Sequence, residues 1–520
     1  MRLPIVTVPR EHRSARPRRR VRRPGACVGA IVGAIVGTVS IAGCAVGPNF
    51  VKPAPPRGGG YAARPPDQTV ATPGVVGGAA QRFVVGAGVG ASWWRLFGST
   101  QLDELIRRAL AHNPDLGAAR AALTAAHENL LAQRGAYLPG VSAGFAASRA
   151  RQSTLLAPVP NYPSVPNEFQ YDLFTPEVSV SYVPDVFGLN RRTVESARAG
   201  EQAVRFEMIA TYDTLVANVA VGAIEEAALR AQVAATRRLI ATDRAMTRIL
   251  RLRYAKGYAS RLDLAAQQAQ GAMVAATLPP LEKALAQQRD LLAVLVGAPP
   301  NRGPKNPFAL TSLHLPQRLP LSVPSRLVEQ RPDVRQAQAN LHAASAEIGI
   351  AVANRLPDLT LTANAGSTSL ALADLFSAGT GFWGIGASLS APIFEGGALL
   401  HRERAAKAAY LQAAEQYRSA VLTAFQNVAD CLAALQQDAR GLRAAAAADR
   451  ATKIAFDLSR RQYAAGYAGN LSLFGAEQAY LQARINLIQA QANRFADTAA
   501  LFEALGGGWW RSADLAGKKR

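Results

Sequence analysis

The residue types that most often do chemistry are sparse in this chain. The six histidines are scattered, and none has the pairwise spacing that metal sites use. The sequence also lacks a phosphate-binding glycine loop of the Gly-x-x-x-x-Gly-Lys type. The three cysteines are Cys27, Cys44 and Cys431, and we interpret Cys431 as a small apolar residue packed on a helix. We therefore predict no catalytic residue, no cofactor and no metal, and so not an enzyme.

Cys44 is the cysteine whose surroundings indicate a modification. Residues 10–24 are rich in Arg, and the uncharged stretch 26–41 is shorter than the roughly 20 residues that a membrane helix needs. It ends in Ile41-Ala42-Gly43-Cys44, which resembles a bacterial lipobox. The resemblance implies removal of residues 1–43, attachment of lipid such as palmitate to Cys44, and release to the outer membrane, since Ala45 rather than Asp follows. The alternative is an ordinary signal peptide with a chance cysteine.

The net charge of +22 is partly local. Nine Arg and one Glu within residues 1–43 contribute +8, which leaves +14 for the rest of the chain. These remaining Lys and Arg are spread along predicted helices without a basic cluster interleaved with aromatic residues, so we predict no nucleic-acid binding. Hydrophobic residues make up 49% and aromatic residues 7%, a balance that favours Ala- and Leu-rich helices.

One turn sequence occurs twice, at an offset of 209 residues. The two copies cover residues 254–264 and 463–473. Gly257 and Gly466 stand where a helix should end, because glycine takes the left-handed conformation without a Cβ penalty. Ser260 with Asp263 in the first copy, and Asn470 in the second, are expected to cap the helix that follows. A turn of this kind can also be a mere connection.

Two very long helices lead into these turns. No helix breaker other than isolated glycine occurs from about 192 to 254 or from about 400 to 463. About 63 residues at 1.5 Å each span roughly 95 Å, which is typical of a coiled-coil tube rather than of a globular domain. Shorter helices, predicted over 261–296 and 472–505, return from the turns, and Leu278-Pro279-Pro280 interrupts the first of them.

Alternating apolar and small polar residues predict strands of about ten residues. The stretches with this pattern are 141–145, 178–182, 359–366 and 385–391. Their length and alternation fit transmembrane strands, although a half-buried soluble hairpin is an alternative. Four strands cannot close a barrel, and lipid does not tolerate open edges, so we expect other copies of the chain to complete the sheet.

The chain is interpreted as two copies of one unit. Asn113-Pro114-Asp115 matches Arg331-Pro332-Asp333 at an offset of 218, and the repeated turn follows at 209. The predicted segments are a signal peptide 1–43, a lipid-anchored Pro/Gly-rich tether 44–92, a first unit 93–297 with a hairpin at about 139–185, a Pro-rich linker 298–324, a second unit 325–508 with a hairpin at about 357–393, and a tail 509–520.

The order of these motifs resembles that of the TolC-like outer-membrane efflux proteins, specifically the lipoprotein channels of resistance-nodulation-division (RND) systems. The segments that carry the resemblance are 43–53, 93–94, 113–116, 182–188, 327–334, 356–357 and 392–397. The resemblance implies a mixed α and β membrane protein, a homotrimer with a 12-stranded outer-membrane β-barrel and a periplasmic coiled-coil barrel. It also implies contact with outer-membrane lipid, a periplasmic adaptor protein and an inner-membrane RND transporter.

The resemblance implies a passive exit duct for drugs or other toxic small molecules, and hence a part in multidrug resistance. An outer-membrane channel for polypeptides secreted by an ABC exporter is the alternative. A third hypothesis is a scaffold or adhesin that uses the helices as a rod, which the alternating strands disfavour because a rod needs no barrel.

The resemblance also gives the repeated turns a role as helical tips that converge at a closed periplasmic mouth. The residues predicted at this gate are Tyr254, Gly257, Asp263, Tyr463, Gly466, Leu471 and Gly475. The family usually carries Asp or Glu where this chain has Gly475, and Glu477 comes two positions later. We therefore expect a looser or apolar constriction at Leu471 in place of an acidic ring.

Overall fold

The helices and strands follow one another in two similar series. A computed structural model describes residues 45–54, 61, 67–153, 168–303, 308–467 and 469–515, without the side chains of Asn470 and Leu471. The first series is β1 (Arg82–Val85), α1 (Thr100–His112), α2 (Pro114–Arg134), β2 (Gly140–Ser153), β3 (Glu168–Tyr182), α3 (Leu189–Ala255), α4 (Arg261–Ala276) and α5 (Leu278–Leu295). The second is β4 (Arg318–Leu321), α6 (Pro324–Gln330), α7 (Pro332–Ala353), β5 (Asp358–Ser367), β6 (Gly381–Ser390), α8 (Ala398–Ala464) and α9 (Asn470–Ala504).

The two longest helices, α3 and α8, confirm the prediction from the sequence. Each has 67 residues, which corresponds to about 100 Å at the rise of an α-helix. Each begins after a glycine in the left-handed conformation, Gly188 or Gly397, with φ of 86° in both. The return helices differ as expected, because α4 ends at Ala276 before Pro279 and Pro280, whereas α9 continues unbroken over 35 residues.

The four longer strands form one antiparallel sheet in the order β2-β3-β5-β6. The strands β5 and β6 have the predicted ten residues, whereas β2 has 14 and β3 has 15. The mixed α and β fold is therefore as predicted. The outer edges of the sheet are β2 and β6.

The register of this sheet collects the apolar residues on one face. Val180 is paired with Val141 on one side and with Ala363 on the other. Ala363 is paired in turn with Ile385, and Leu359 with Leu389. Because side chains alternate between faces and paired residues share one, these residues all point the same way. In the single chain Ile385 is 81% exposed and Trp383 is 77% exposed.

Aromatic side chains fill the core beside the helices. Trp93 and Trp94 are 2% and 3% exposed, which agrees with packing rather than substrate contact. The ring of Trp93 stacks on Phe502 of α9 at 5.1 Å between centroids, and Phe97 meets Phe495 edge to face.

The segment predicted as an extended tether is in large part packed against the body. Strand β1 pairs in parallel with β4. Gln81 is fully buried, and its Nε2 donates to the carbonyl of Pro316 at 3.1 Å and to Oγ1 of Thr498 at 3.0 Å. The expectation of a free tether up to residue 92 is therefore wrong for residues 67–92, because their partners lie hundreds of residues away and leave no local pattern in the sequence.

Among the residues that the structure describes, no helix combines the length and the apolar character that a transmembrane helix needs.

Candidate functional site at the helical tips

The first tip joins α3 to α4 through a Schellman turn. Gly257 has φ of 78°. Its amide donates to the carbonyl of Tyr254 at 2.9 Å, and the amide of Tyr258 donates to the carbonyl of Arg253 at 2.8 Å. These two bonds satisfy carbonyls that the end of α3 would otherwise leave unpaired. A residue with a Cβ atom would be strained at Gly257.

The second tip, between α8 and α9, repeats this geometry. Gly466 has φ of 81°. Its amide donates to the carbonyl of Tyr463 at 3.1 Å, and the amide of Tyr467 donates to that of Gln462 at 2.9 Å. Both helices thus end in the conformation that the sequence predicted for the two glycines.

The helices that leave the tips begin differently. The side chain of Ser260 accepts from the amide of Asp263 at 3.0 Å, and Asp263 accepts from the amide of Ser260 at 3.2 Å, so the predicted capping box is confirmed. The prediction that Asn470 caps α9 is wrong, because Gly469 is the N-cap and Asn470 is the first helical residue. Gly469 holds an extended conformation, and Ser472 Oγ donates to its carbonyl at 2.9 Å.

The predicted gate residues are distributed over both tips. Tyr254, Gly257, Gly466 and Gly475 are exposed, whereas Asp263 and Tyr463 are half-buried. Nearby, Tyr258 is 80% exposed and Tyr467 is 87% exposed. A Cβ atom at Gly475 would meet no other atom within 4 Å, so this position faces open space. The side chain of Leu471 lies outside the described residues, and its role as a constriction stays a prediction.

Behind the tips, the seam between the two helical hairpins buries a pair of carboxyl groups. Asp243 of α3 is 2% exposed, and Glu477 of α9 is fully buried next to it. Gln267 of α4 donates from Nε2 to Oδ1 of Asp243 at 3.2 Å. The apolar cluster around this seam comes from four helices and contains Leu239, Ile240, Val274, Phe456, Leu473 and Leu481.

The burial of this pair favours its protonated form. Burial raises the pKa of Glu477 to about 8, and the charge of Asp243 adds to the rise. Burial also raises the pKa of Asp243, against hydrogen bonds from Glu477 and Gln267 that lower it. If both groups were carboxylates, Oδ2 of Asp243 and both oxygens of Glu477 would be buried without a donor. One proton shared by the pair supplies that donor.

This buried pair was not predicted from the sequence. A signal for it was present, because Glu477 lies four residues from Leu473 and from Leu481, on the stripe that α9 buries. Asp243 likewise lies four residues after the buried Leu239. A carboxylate at a core position of an apolar stripe indicates a buried partner.

The segment that follows Cys44 is held at the junction of strand β3 and helix α3. The amide of Val46 donates to the carbonyl of Phe187 at 3.0 Å. Arg192, which is 3% exposed, donates to the carbonyls of Val46 at 3.0 Å and Gly47 at 3.2 Å. Cys44 itself lies outside the described residues, so its lipidation stays a prediction.

Within the described ranges, no group of three or more His, Cys, Asp or Glu side chains has an arrangement that could hold a metal ion.

Comparisons with known proteins agree with the architecture. The family model described as outer membrane efflux protein matches residues 105–298 and 323–507. The chain is 31% identical over 419 residues to "Pyoverdine export outer membrane protein OpmQ" of Pseudomonas putida, covering 80% of this chain and 88% of that protein. It is 29% identical over 429 residues to "Toluene efflux pump outer membrane protein TtgC" of Pseudomonas putida, covering 82% and 87%.

A solved structure extends this likeness to three dimensions. The open state of the Neisseria gonorrhoeae MtrE outer membrane channel superposes with a TM-score of 0.75 at 27% identity, over 90% of this chain and 99% of MtrE. The resemblance to TolC-like channels, and with it the outer-membrane location, is confirmed. The chain belongs to the outer membrane efflux protein family.

Proposed function

We propose that the protein is the outer-membrane channel of a tripartite efflux pump, a passive duct that leads small molecules from the periplasm to the exterior. The observation that carries this proposal is that one chain contains both a membrane-type sheet and long helical hairpins. One part is a sheet whose register places Val141, Ile385 and Leu389 on one exposed face. The other is two helical hairpins of about 100 Å that end in identical turns.

The functional form in this proposal is a homotrimer. The single chain has a four-stranded sheet with β2 and β6 at its edges. Lipid does not tolerate unpaired strand edges, so these edges need partners in a membrane. Three chains joined edge to edge give the twelve strands that the family resemblance implies, and the same symmetry gathers the helical hairpins into a periplasmic tunnel.

The proposed cargo is drugs or other toxic small molecules. The names of two relatives refer to different compounds, pyoverdine and toluene, although their identities to this chain, 31% and 29%, are almost equal. We infer that the inner-membrane partner selects the cargo. An RND transporter and a periplasmic adaptor are the partners in this proposal, and the adaptor binds at the exposed helical tips.

The gate of the duct is proposed at these tips. In this proposal Gly257 and Gly466 let the chain reverse, and Tyr254, Tyr463 and Asp263 shape the mouth around them. Gly475 leaves open space where the family carries an acid. Leu471 then forms the narrowest ring, as the sequence suggests.

Cys44 is the proposed site of lipid attachment. Arg192 and the backbone of Phe187 hold residues 46–47 beside the end of strand β3, which supports an anchor on the side of the molecule that carries the strands. Incorporation of labelled palmitate into the wild-type chain, and its loss in Cys44→Ala, is the result expected for this site.

Single-channel currents from the purified full-length protein in planar bilayers test the duct and its gate. Leu471→Ser should raise the conductance, because a small polar side chain no longer closes an apolar ring. The matched control is Leu262→Ser, which changes the equivalent residue 209 positions earlier in the first tip. An absence of currents would contradict the duct, and equal effects of both substitutions would remove the special role of Leu471.

The cargo class is tested in a strain that lacks the gene. Susceptibility to a panel of antibiotics and solvents should rise, and the complementing wild-type gene should restore resistance. Unchanged susceptibility together with loss of one secreted polypeptide would contradict a role in drug efflux and favour a channel for polypeptides.

A further inference from the structure

The buried carboxyl pair lies where the two helical hairpins of one chain meet. Asp243 belongs to the hairpin of α3 and α4, and Glu477 belongs to the hairpin of α8 and α9. Both are at most 2% exposed. We propose that Asp243 and Glu477 share one proton across this seam, and that this proton latches the two hairpins together near their tips.

A proton is the right occupant because no cation reaches the pair. On α3 the neighbouring Arg244 and Arg248 are exposed. The charged residues of α4 are Asp263 and the exposed Arg261 at its first position. Packed against them, α8 and α9 carry further charged groups, of which Arg450, Arg460 and Arg461 are exposed and others form ion pairs. Arg484 of α9 pairs with Asp449 of α8 at 3.5 Å, and Lys453 pairs with Asp457 within α8 at 2.8 Å.

The donor count supports the same assignment. Gln267 supplies one donor, to Oδ1 of Asp243. The remaining oxygens of the pair are buried, and Tyr480, the other titratable group of this part of α9, stacks its ring on Phe456 at 5.7 Å. Two carboxylates without a donor would repel each other across a seam of low dielectric constant, whereas a carboxyl group and a carboxylate attract.

The direction of the pH dependence follows from the raised pKa values. When the hairpins are together, burial and the charge of Asp243 raise the pKa of Glu477 from its ordinary value of 4.5 to about 8. When they separate, water reaches both groups and the ordinary values return. The closed form thus binds the proton more tightly, so the latch is strongest in acid and weakens as the pH rises from about 4.5 to about 8. Release of the proton frees the tips to move apart.

The latch itself does not depend on transport, but the inference that its release widens a duct rests on the proposed function. The two are separated by two measurements on the same protein. A distance between the tips tests the latch, and conductance tests its effect on the duct. A pH-dependent distance with no channel current would keep the latch and reject the duct.

The distance is measured by pulsed EPR on the full-length chain with Cys431→Ser and spin labels at Tyr258→Cys and Tyr467→Cys. These tyrosines are exposed on the two tips. Labelled chains are diluted with unlabelled ones, so that only the two tips of one chain are measured. We expect one short, narrow distance at pH 5 and a longer, broader distribution at pH 9.

Glu477→Gln tests the assignment to this pair. The introduced amide donates to Asp243 at every pH, so the tips should stay together at pH 9. Asp243→Asn should give the same result from the other side of the seam. The matched control is Asp438→Asn, which alters a second carboxyl pair, the half-buried Asp438 and Asp497, whose members both lie within the hairpin of α8 and α9. This variant should keep the wild-type response to pH.

Three results would overturn the latch. One is a tip distance that does not change between pH 5 and pH 9 in the wild type. Another is a change of the tip distance with pH in Glu477→Gln that equals the change in the wild type. The third is a wild-type distance at pH 5 that lengthens on addition of EDTA, because a bound cation would then hold the carboxylates.

Discussion

Arg494 shows how a single buried charge can join distant parts of this chain. Its side chain is 1% exposed inside the body, and Nη1 donates to the carbonyl of Leu435 on α8 at 2.9 Å. Nη2 donates to Oγ1 of Thr69 and to the carbonyl of Ala79, each at 3.3 Å. One guanidinium therefore fixes residues 67–85 to the second hairpin, because its planar fork serves several acceptors at once.

Replacement of this guanidinium should destabilise the protein. Arg494→Met removes the hydrogen bonds that tie Thr69 and Ala79 to α9 and the positive charge beside Asp438, so we expect a loss of stability of about 3 kcal/mol. The measurement is thermal unfolding followed by circular dichroism, with limited proteolysis to detect release of residues 67–85. Arg418→Met, which removes an exposed ion pair with Glu415 on α8, is the control and should have no measurable effect. Equal melting temperatures of the two variants would contradict the role of Arg494.

Residues with a local cause were predictable, and those with a distant cause were not. Gly257 and Gly466 end helices for a reason contained in their own backbone, and the sequence indicated both. The error at Asn470 was also local, since Gly469 before it is another residue type that N-cap positions accept. Arg494 and Gln81 depend on partners that only the folded chain brings near, so their roles could not be predicted from the sequence.

At the scale of elements, the two hairpins are alike in length and different in continuity. The first returns through two helices that meet at Thr277, whereas the second returns through α9 alone. Proline explains the difference, since Pro279 and Pro280 lack the amide hydrogens that a continuous helix would use. At the equivalent place α9 has Ile488, which is 4% exposed.

A proline in α9 should therefore destabilise the protein much more than the prolines of α5 do. We expect Ile488→Pro to lower stability by about 3 kcal/mol or more, through the lost hydrogen bond and the clash with the preceding turn. Ile488→Val separates the packing loss, which should be about 1 kcal/mol. Pro279→Ala should change stability by less than about 1 kcal/mol, because that position already begins a helix. Thermal unfolding followed by circular dichroism measures these losses of stability. A similar loss for Ile488→Pro and Ile488→Val would contradict the continuity of α9.

The long elements were predictable because their patterns run over many residues. The helix limits of α3 and α8 agree with the sequence to within a few residues, since both run from one glycine-containing turn to another. The alternation in the strands likewise indicated their two faces. The longer β2 and β3 exceeded the prediction, because Arg149 pairs with Asp172 and Arg151 with Glu168 beyond the apolar stretch. The alternation does continue into the end of β3, over Glu168-Phe169-Gln170-Tyr171-Asp172-Leu173, and the prediction from the sequence missed it.

At the scale of the whole molecule, the sheet and the hairpins place different demands on their surroundings. The helices bury many of their apolar residues within one chain, as in the clusters around Trp93 and Leu239. The sheet leaves Val141, Trp383 and Ile385 exposed on one face, together with two unpaired edge strands. A large apolar face on a folded chain needs a cover, and for an outer-membrane protein that cover is lipid.

A charge on either face of the sheet distinguishes the lipid side from the interior. Ile385→Arg should oppose insertion by about 2–4 kcal/mol, the cost of a cation at the middle of the bilayer, and so reduce the amount of protein in the outer-membrane fraction. Ser388→Arg, three residues along the same strand, changes the opposite face and should insert as the wild type does. In planar bilayers this second variant should shift ion selectivity toward anions, because its charge lines the conducting path. Equal insertion of the two variants would mean that the apolar face does not contact lipid, and the trimeric channel built from three such sheets would have to be abandoned.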